Sequence, residues 1–512
     1  MGLDRRSFIR TSLIAGGGAT LLDAGPQAAA LVRAGRPQIT HGVQSGDVSA
    51  QGAIVWTRAD RPSRMLVDVS TRPDFGRFAT VRGPLLTPDT DLTGKVRLTG
   101  LPAGEQIHYR VRLADRHDTS LLSAPVEGAF RTAPRSRRDI RFVWSGDLAG
   151  QGFGINPDMG GYQIFRAMQA LNPDFFLCSG DHWYADNPIP ATVKLADGRI
   201  YRNLTTPEKS KVAETLAEFR GQHRYNLMDD NLRALAAVVP QINQWDDHET
   251  HNNWWPGQIL DDPNYTEKRV DVLSARAHQA LFEYLPIAEQ PSAHGRVYRK
   301  ISYGPLLDVF VLDMRTYRDA NGPDNAPVDD QGILGRAQAE WLKRELAASK
   351  ATWKIVAADM PLSLIVSDAH GIEAVSQGVG GRPLGRELQI ADVLSTMKKR
   401  RVRNVVWLTA DVHYTAAHYY DPAKAAFQDF DPFWEFVSGP LNAGAFGPNT
   451  LDTTFGPEVR FQQVPPHANT SPLEGYQFFG EVAIDGHSGA LTVRLRDQAG
   501  KALYVVTLDP EH

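Results

Sequence analysis

Six short apolar runs in this chain each stop at an aspartate, and that pattern constrains the fold more than any other feature. Phe142-Val-Trp-Ser-Gly runs into Asp147, and Phe176-Leu-Cys-Ser-Gly into Asp181. Val238-Val-Pro-Gln-Ile-Asn-Gln-Trp ends in Asp246-Asp247-His248, and Phe310-Val-Leu in Asp313. Val356-Ala-Ala ends in Asp359, and Val406-Trp-Leu-Thr-Ala in Asp411-Val412-His413. Between the runs, apolar residues recur at helical spacing: Ile164, Phe165, Met168 and Leu171; Leu334, Gln338, Trp341, Leu342 and Leu346; Ile390, Val393, Leu394 and Met397. Helices alternating with buried strands predict a parallel or mixed sheet covered on both faces. Ligands of such sheets bind outside the carboxyl ends of the strands. If the strands are parallel, the aspartates converge there.

Single aspartates commonly cap turns. Six in series, two with a nearby histidine, call for another explanation. Carboxylates a few Å apart repel by several kcal/mol at an effective dielectric of about 20, so protons or metal cations must neutralise them. The local spacing favours metal. Ser179-Gly-Asp-His-Trp-Tyr184 sets a carboxylate and a phenol three apart just past a strand. Asp411 and His413, at i and i+2, fall on one face if the strand end stays extended. Carboxylate, phenolate and imidazole suit iron or manganese, with calcium or magnesium at an all-oxygen position, and disfavour a thiolate zinc site.

Before this region, residues 38–133 read as a β-domain. Gly52–Thr57, Met65–Ser70 and Gln106–Arg112 are short runs of strand formers separated by Pro, Gly and Asp. Leu101-Pro-Ala-Gly104 followed by Tyr109 is similar to the corner entering a late strand of a fibronectin-type sandwich. The basic, turn-rich Thr132–Arg138 is the expected boundary, and Tyr476–Leu508 reads as a terminal hairpin or meander.

The chain has 512 residues and a net charge of −4, so nothing suggests a nucleic-acid-wrapping or membrane-coating surface. No apolar run reaches the roughly 18–20 residues needed to cross a bilayer. Arg5-Arg6-Ser-Phe-Ile-Arg10, a weakly apolar stretch and Ala28-Ala-Ala30 read as a twin-arginine signal over residues 1–30, addressed to the twin-arginine translocase and a periplasmic or secreted destination. The single cysteine, Cys178, makes no internal disulfide and reads as a small buried residue. Trp183, Trp245, Trp254 and Trp255 read as packing around the loops, and His251, His278 and His370 as isolated surface or supporting groups.

Gly180-Asp-His-Trp-Tyr184, Trp245-Asp-Asp-His-Glu249 with Asn252-Asn253, Leu312-Asp-Met-Arg-Thr-Tyr-Arg318 and Asp411-Val-His413 together resemble the alkaline phosphatase D (PhoD-type) family of calcineurin-like metallophosphoesterases. The resemblance covers essentially the whole chain. It implies a PhoD-type N-terminal β-sandwich, then a four-layer αββα sandwich over 139–512 with a two-metal centre. Carried over, Asp181 would bridge the metals. Asp147, Tyr184 and His413 would complete a first, ferric site; Asp247 and Asp411 would hold a second ion, calcium or another divalent. His248 would stand beside the scissile phosphate. Relatives often have a cysteine where this chain has Asp147, and Asp-Asp-Tyr-His looks like the iron site of purple acid phosphatases. Asp359 and Asp246 are further ligand candidates, and Asn252 and Arg315 substrate-binding candidates, Arg315 reading rather as a structural bridge to Asp313 or Asp319. The implied reaction is hydrolysis of phosphate mono- or diesters by metal-activated water, with His248 as proton donor. A phospholipase D-like lipid phosphodiesterase is the alternative, and a non-enzymatic adhesion module the remote one.

Overall fold

The computed structural model describes residues 35–289, 293, 295–322, 332–369 and 371–511; the paired-arginine segment 1–30 and His370 lie outside them. Two large mixed sheets dominate. In the nine-stranded sheet, Ile140–Ser145, Phe175–Cys178 and Gln241–Asn243 run parallel at the centre. The antiparallel meander Phe478–Ile484, Leu491–Asp497 and Ala502–Leu508 flanks Ile140–Ser145, as the turn spacing at the end of the chain predicts. In the seven-stranded sheet, Leu307–Val311, Trp353–Ala357, Val405–Thr409 and Phe433–Val437 are parallel neighbours.

The apolar runs are continuous because both faces of each central strand are covered. Successive side chains point to opposite faces. Phe142, Trp144, Phe175 and Leu177 join Val309, Val311, Ile355, Ala357, Val406 and Leu408 in one core, so the two sheets pack face to face. The alternate residues look outward. Val143, Phe176 and Cys178 pack on Ile164, Phe165 and Met168 of the Ile164–Ala170 helix and Leu235 of Asp230–Val238. Phe310, Val356 and Trp407 pack on Trp341 and Leu342 of Arg336–Ala348 and on Ile390 and Leu394 of Glu387–Arg400. The helix expected from Leu334 begins two residues later, after Gly335 at φ 68°.

The expected N-terminal β-structure is present, with its strands divided between two sheets. Ser63–Ser70, Ala79–Leu86, Gln106–Asp115 and Val126–Arg131 form an antiparallel four-stranded sheet. Ile39–Gly46, Ala53–Ala59 and Thr93–Leu98 instead extend the nine-stranded sheet, through the parallel pairing of Gly46 with Gln241. Tyr109 is buried, but its hydroxyl donates to the Ala237 carbonyl 3.2 Å away, across the seam, and not to its own corner. Asp47 and Arg299 form a buried ion pair at 2.7 Å across the same seam. No helix among the described residues is long and apolar enough to cross a membrane.

Candidate metal centre

The parallel strands of both sheets end at one place, and their trailing aspartates meet there. Asp147, Asp181, Asp246 and Asp247 arrive from the nine-stranded sheet; Asp359, Asp411 and His413 come from the seven-stranded one. Ligand atoms of Asp147, Asp181 and His413 lie within 4.8 Å of one another. The same holds for Asp181, Asp247 and His248, and for Asp246, Asp247 and Asp411. Asp181 belongs to two of these groups and Asp247 to two, so the clusters form one continuous site.

Asp313 does not join it. Its carboxylate accepts from Trp245 Nε1 and from the backbone N–H groups of Arg315 and Thr316, as a turn cap. Asp411 and His413 also differ from the same-face expectation. Their strand ends at Thr409, both have positive φ (66° and 60°), and the turn sends them to different groups.

The two histidines are held from behind. His413 Nδ1 donates to the Gly444 carbonyl at 2.5 Å, which leaves Nε2 as the acceptor for the Tyr184 hydroxyl at 2.8 Å, with Asp147 Oδ1 at 3.5 Å. Burial holds the imidazole near pKa 4, in the neutral form a metal requires. Burial, with Asp181 and Asp147 close by, pushes the Tyr184 phenol well above its usual range. His248 Nδ1 contacts both oxygens of Asp186, at 2.8 and 2.9 Å. Burial would lower that imidazole, but the carboxylates of Asp186 and Asp247 outweigh it and push it up to about 9. The His248 backbone N–H donates to Asp181 Oδ1 at 3.1 Å.

Glycines allow the loops to close this tightly. Gly180, at φ 98°, has Asp246 Cβ only 2.5 Å from where its own Cβ would sit. A Cβ on Gly439 would lie 2.1 Å from Asp147 Oδ2.

The donor set fits cations. Asp147 Oδ2, Asp246 Oδ2, Asp247 Oδ1 and both oxygens of Asp359 are buried and take no hydrogen bond. Buried acceptors are rarely left so. Burial, then repulsion from neighbouring carboxylates, pushes Asp147, Asp181 and Asp411 well above the ordinary carboxylate range. Cations bound among them would remove that penalty and supply the missing partners.

Arg315 is fully buried behind the cluster. Its Nε donates to Asp246 Oδ1 at 2.5 Å, another nitrogen contacts Glu373, and Asp359 and Asp411 lie 3.6 and 3.7 Å away. The guanidinium is thus surrounded by carboxylates. Asn252 has an exposed side chain, while its N–H donates to Asp186 Oδ2 at 2.7 Å. Trp183, Trp245 and Trp254 are buried in a separate apolar cluster beside the site, and Trp255 is half-buried. His278 Nε2 pairs with the Gly295 carbonyl, and His251 Nδ1 with that of Asn252. Cys178 is buried, its sulfur 3.5 Å from His182 Nδ1.

Four contributors escaped the sequence reading. Asp186 orients His248. Glu249 accepts from the N–H groups of His182 (2.7 Å) and Asp246 (2.9 Å), clamping two ligand loops together. Glu373 receives Arg315 and Arg318. Buried Lys209 donates to the Tyr184 carbonyl at 2.6 Å. Asp186 stands two residues past a recognised motif and Glu249 closes another, its clamping role unread; Lys209 and Glu373 carry no local signal.

Comparison with known proteins agrees with this architecture. Residues 142–495 match the family model of the PhoD-like phosphatases, and residues 26–134 that of the PhoD-like phosphatase N-terminal domain. Alkaline phosphatase D of Bacillus subtilis (strain 168) is 26% identical over 437 residues, covering 80% of this chain and 70% of the relative. A solved structure of PhoD superposes with a TM-score of 0.68 at 20% identity, covering 93% of this chain and 90% of its own. Purple acid phosphatase PPD1 from yellow lupin (Lupinus luteus) seeds gives 0.58 at 13% identity, covering 93% and 74%. Both superpositions show a shared fold.

Proposed function

The chain belongs to the PhoD-like phosphatase family and is a metal-dependent phosphoric ester hydrolase, and from that premise we propose how its residues divide the work. Asp147, Asp181, Tyr184 and His413 would hold one ion, ferric iron. Asp181, Asp247 and Asp411 would hold a second, calcium or another divalent, with Asp246 and Asp359 close behind it. The observation that carries this division is the place of Asp181 in two ligand groups at once. Bound cations supply positive charge for the phosphate oxygens and activate water for attack.

The chain's own residues do the rest. Asp186 holds His248 through Nδ1, so Nε2 is the ring nitrogen free to give a proton to the departing alkoxide. Glu249 and Lys209 fix the backbone that carries Asp181 and Tyr184. Arg315 balances the acidic cluster from below, and Asn252, whose side chain is exposed, would contact the ester. The packing of helices on both outer faces of the paired sheets supports a four-layer αββα reading of the catalytic unit. The paired arginines at 5 and 6 support export by the twin-arginine route.

Metal analysis with a visible spectrum of the purified protein tests the assignment. Iron bound to Tyr184 gives a charge-transfer colour that Tyr184→Phe removes. A colourless protein holding only zinc would overturn the ferric site.

A further inference from the structure

We propose that a basic groove at the far end of the seven-stranded sheet is a docking site for a polyanion with several phosphates in a row. The groove encloses about 440 Å³, and Arg137, Lys350, Lys354, Arg400, Arg401 and Arg403 supply its cations. It lies at the amino ends of Trp353–Ala357 and Val405–Thr409, the strands whose other ends carry Asp359 and Asp411. Lys354 and Asp359 are therefore roughly 16 Å apart along one strand. The groove and the metal centre occupy opposite edges of the sheet.

Ordinary structural roles account for only part of this charge. The helices Arg336–Ala348 and Glu387–Arg400 both end here, and each helix terminus offsets about half a charge. Arg403 pairs with Glu511, and Lys354, with its ammonium on the Ala351 carbonyl, lies near Asp308. Arg137 bonds the carbonyls of Gly486 and His487, with no acidic partner among the described residues. Lys350, Arg400 and Arg401 are exposed, with no acidic partner among the described residues. These cations come from three separate stretches, the 135–138 linker, the 349–354 turn and the 400–403 helix end, on a chain whose net charge is −4. Helix-dipole compensation would not gather Arg137 and Lys350 to the same place.

The shape selects the partner. A surface that docks on a bilayer sets apolar side chains among its cations, yet none of the large exposed apolar residues lines this groove. A concave lining that gathers guanidinium and ammonium groups from three stretches suits an extended phosphate chain, since guanidinium forks match phosphate oxygens two at a time.

Binding of inorganic polyphosphate to the metal-loaded enzyme tests this, with excess orthophosphate present to fill the metal centre. Binding should weaken steeply with added salt. It should fall roughly tenfold or more in K350E/R400E, persist in K350R/R400K, and leave turnover of a small phosphate ester unchanged in both. Equal binding by K350E/R400E, or none beyond that of orthophosphate, would overturn the proposal. Tighter retention on anionic phospholipid vesicles than on polyphosphate would also overturn it, by assigning the groove to a membrane.

Discussion

Asp147, Asp181, Asp411 and His413 all sit in the left-handed region, at φ between 50° and 68°. L-residues pay roughly 1–2 kcal/mol for that conformation, Asp somewhat less because its short side chain bonds locally. Four such residues at one site, buried and mutually repelling, amount to a local structure maintained against its own preferences. Replacing Asp147 with Asn keeps the shape and the tolerance of positive φ but removes a buried charge. Ionised Asp147 opposes folding, because burial and its neighbours hold its pKa above the unfolded value. Asp147→Asn should therefore raise the melting temperature of chelated protein, by roughly 1 °C per kcal/mol recovered because the entropy of unfolding grows with chain length, while abolishing activity. A lower melting temperature than the chelated parent would refute the strained-site account. His248→Ala should keep its metals and lose about 10²–10⁴ in kcat; metal analysis beside the assay decides, and loss of metal with activity would recast His248 as a ligand. These residues were legible because each aspartate closes an apolar run. Lys209 and Glu373 were not, because their partners Tyr184 and Arg315 lie 25 and 58 residues away.

Among elements, the central strands were easy to read because burial on both faces leaves unbroken apolar runs. The outer edge was harder. The Ile39–Gly46 strand looks like any sandwich strand, and its partner at Gln241 lies nearly two hundred residues on. Its neighbourhood is also charged. His41 faces Arg58, Arg224 and Arg233, while Asp91 accepts from Arg58 at 2.9 Å and Arg224 at 2.5 Å. Burial first, then those arginines, lower His41 from 6.5 to about 4, with Asp91 opposing. The folded state thus resists protonating a group the unfolded chain protonates readily. Its contribution to stability is present above pH 6.5 and is lost as pH falls toward 4. His41→Gln should flatten that part of the melting-temperature profile and leave the region above pH 7 unchanged. An identical acid slope in both proteins would show that His41 does not report on this seam.

At the scale of the whole molecule, two features would couple the parts into one cooperative unit. The proposed ligands come from both large sheets, so bound cations would tie the sheets together. Ligands that bind only the folded state stabilise it by about 4 kcal/mol at a thousand times their dissociation constant. Chelation should accordingly remove activity and lower the melting temperature together, and added iron and calcium should restore both. The second feature is independent of metal. Three N-terminal strands continue the nine-stranded sheet, Trp56 Nε1 donates to the Glu283 carbonyl at 2.8 Å, and Asp47 and Arg299 bury their charges across the seam. The inner core also runs without a break from Met65, Val67 and Phe130 to Trp144, Ile355 and Phe436. Separable domains would each close their own core and melt apart. Here, removing residues 35–133 would strip a neighbour from the Gln241–Asn243 strand and leave Arg299 buried without its carboxylate, a loss of about 3–5 kcal/mol on its own. Calorimetry of the chelated chain should therefore show one transition, with calorimetric and van't Hoff enthalpies equal. Arg299→Met, which leaves the buried Asp47 carboxylate with the Ala288 N–H but without its guanidinium, should lower that single transition without splitting it. Two resolved transitions in the parent would mean that the shared sheet does not couple the halves, and that the metals alone hold the catalytic layers together.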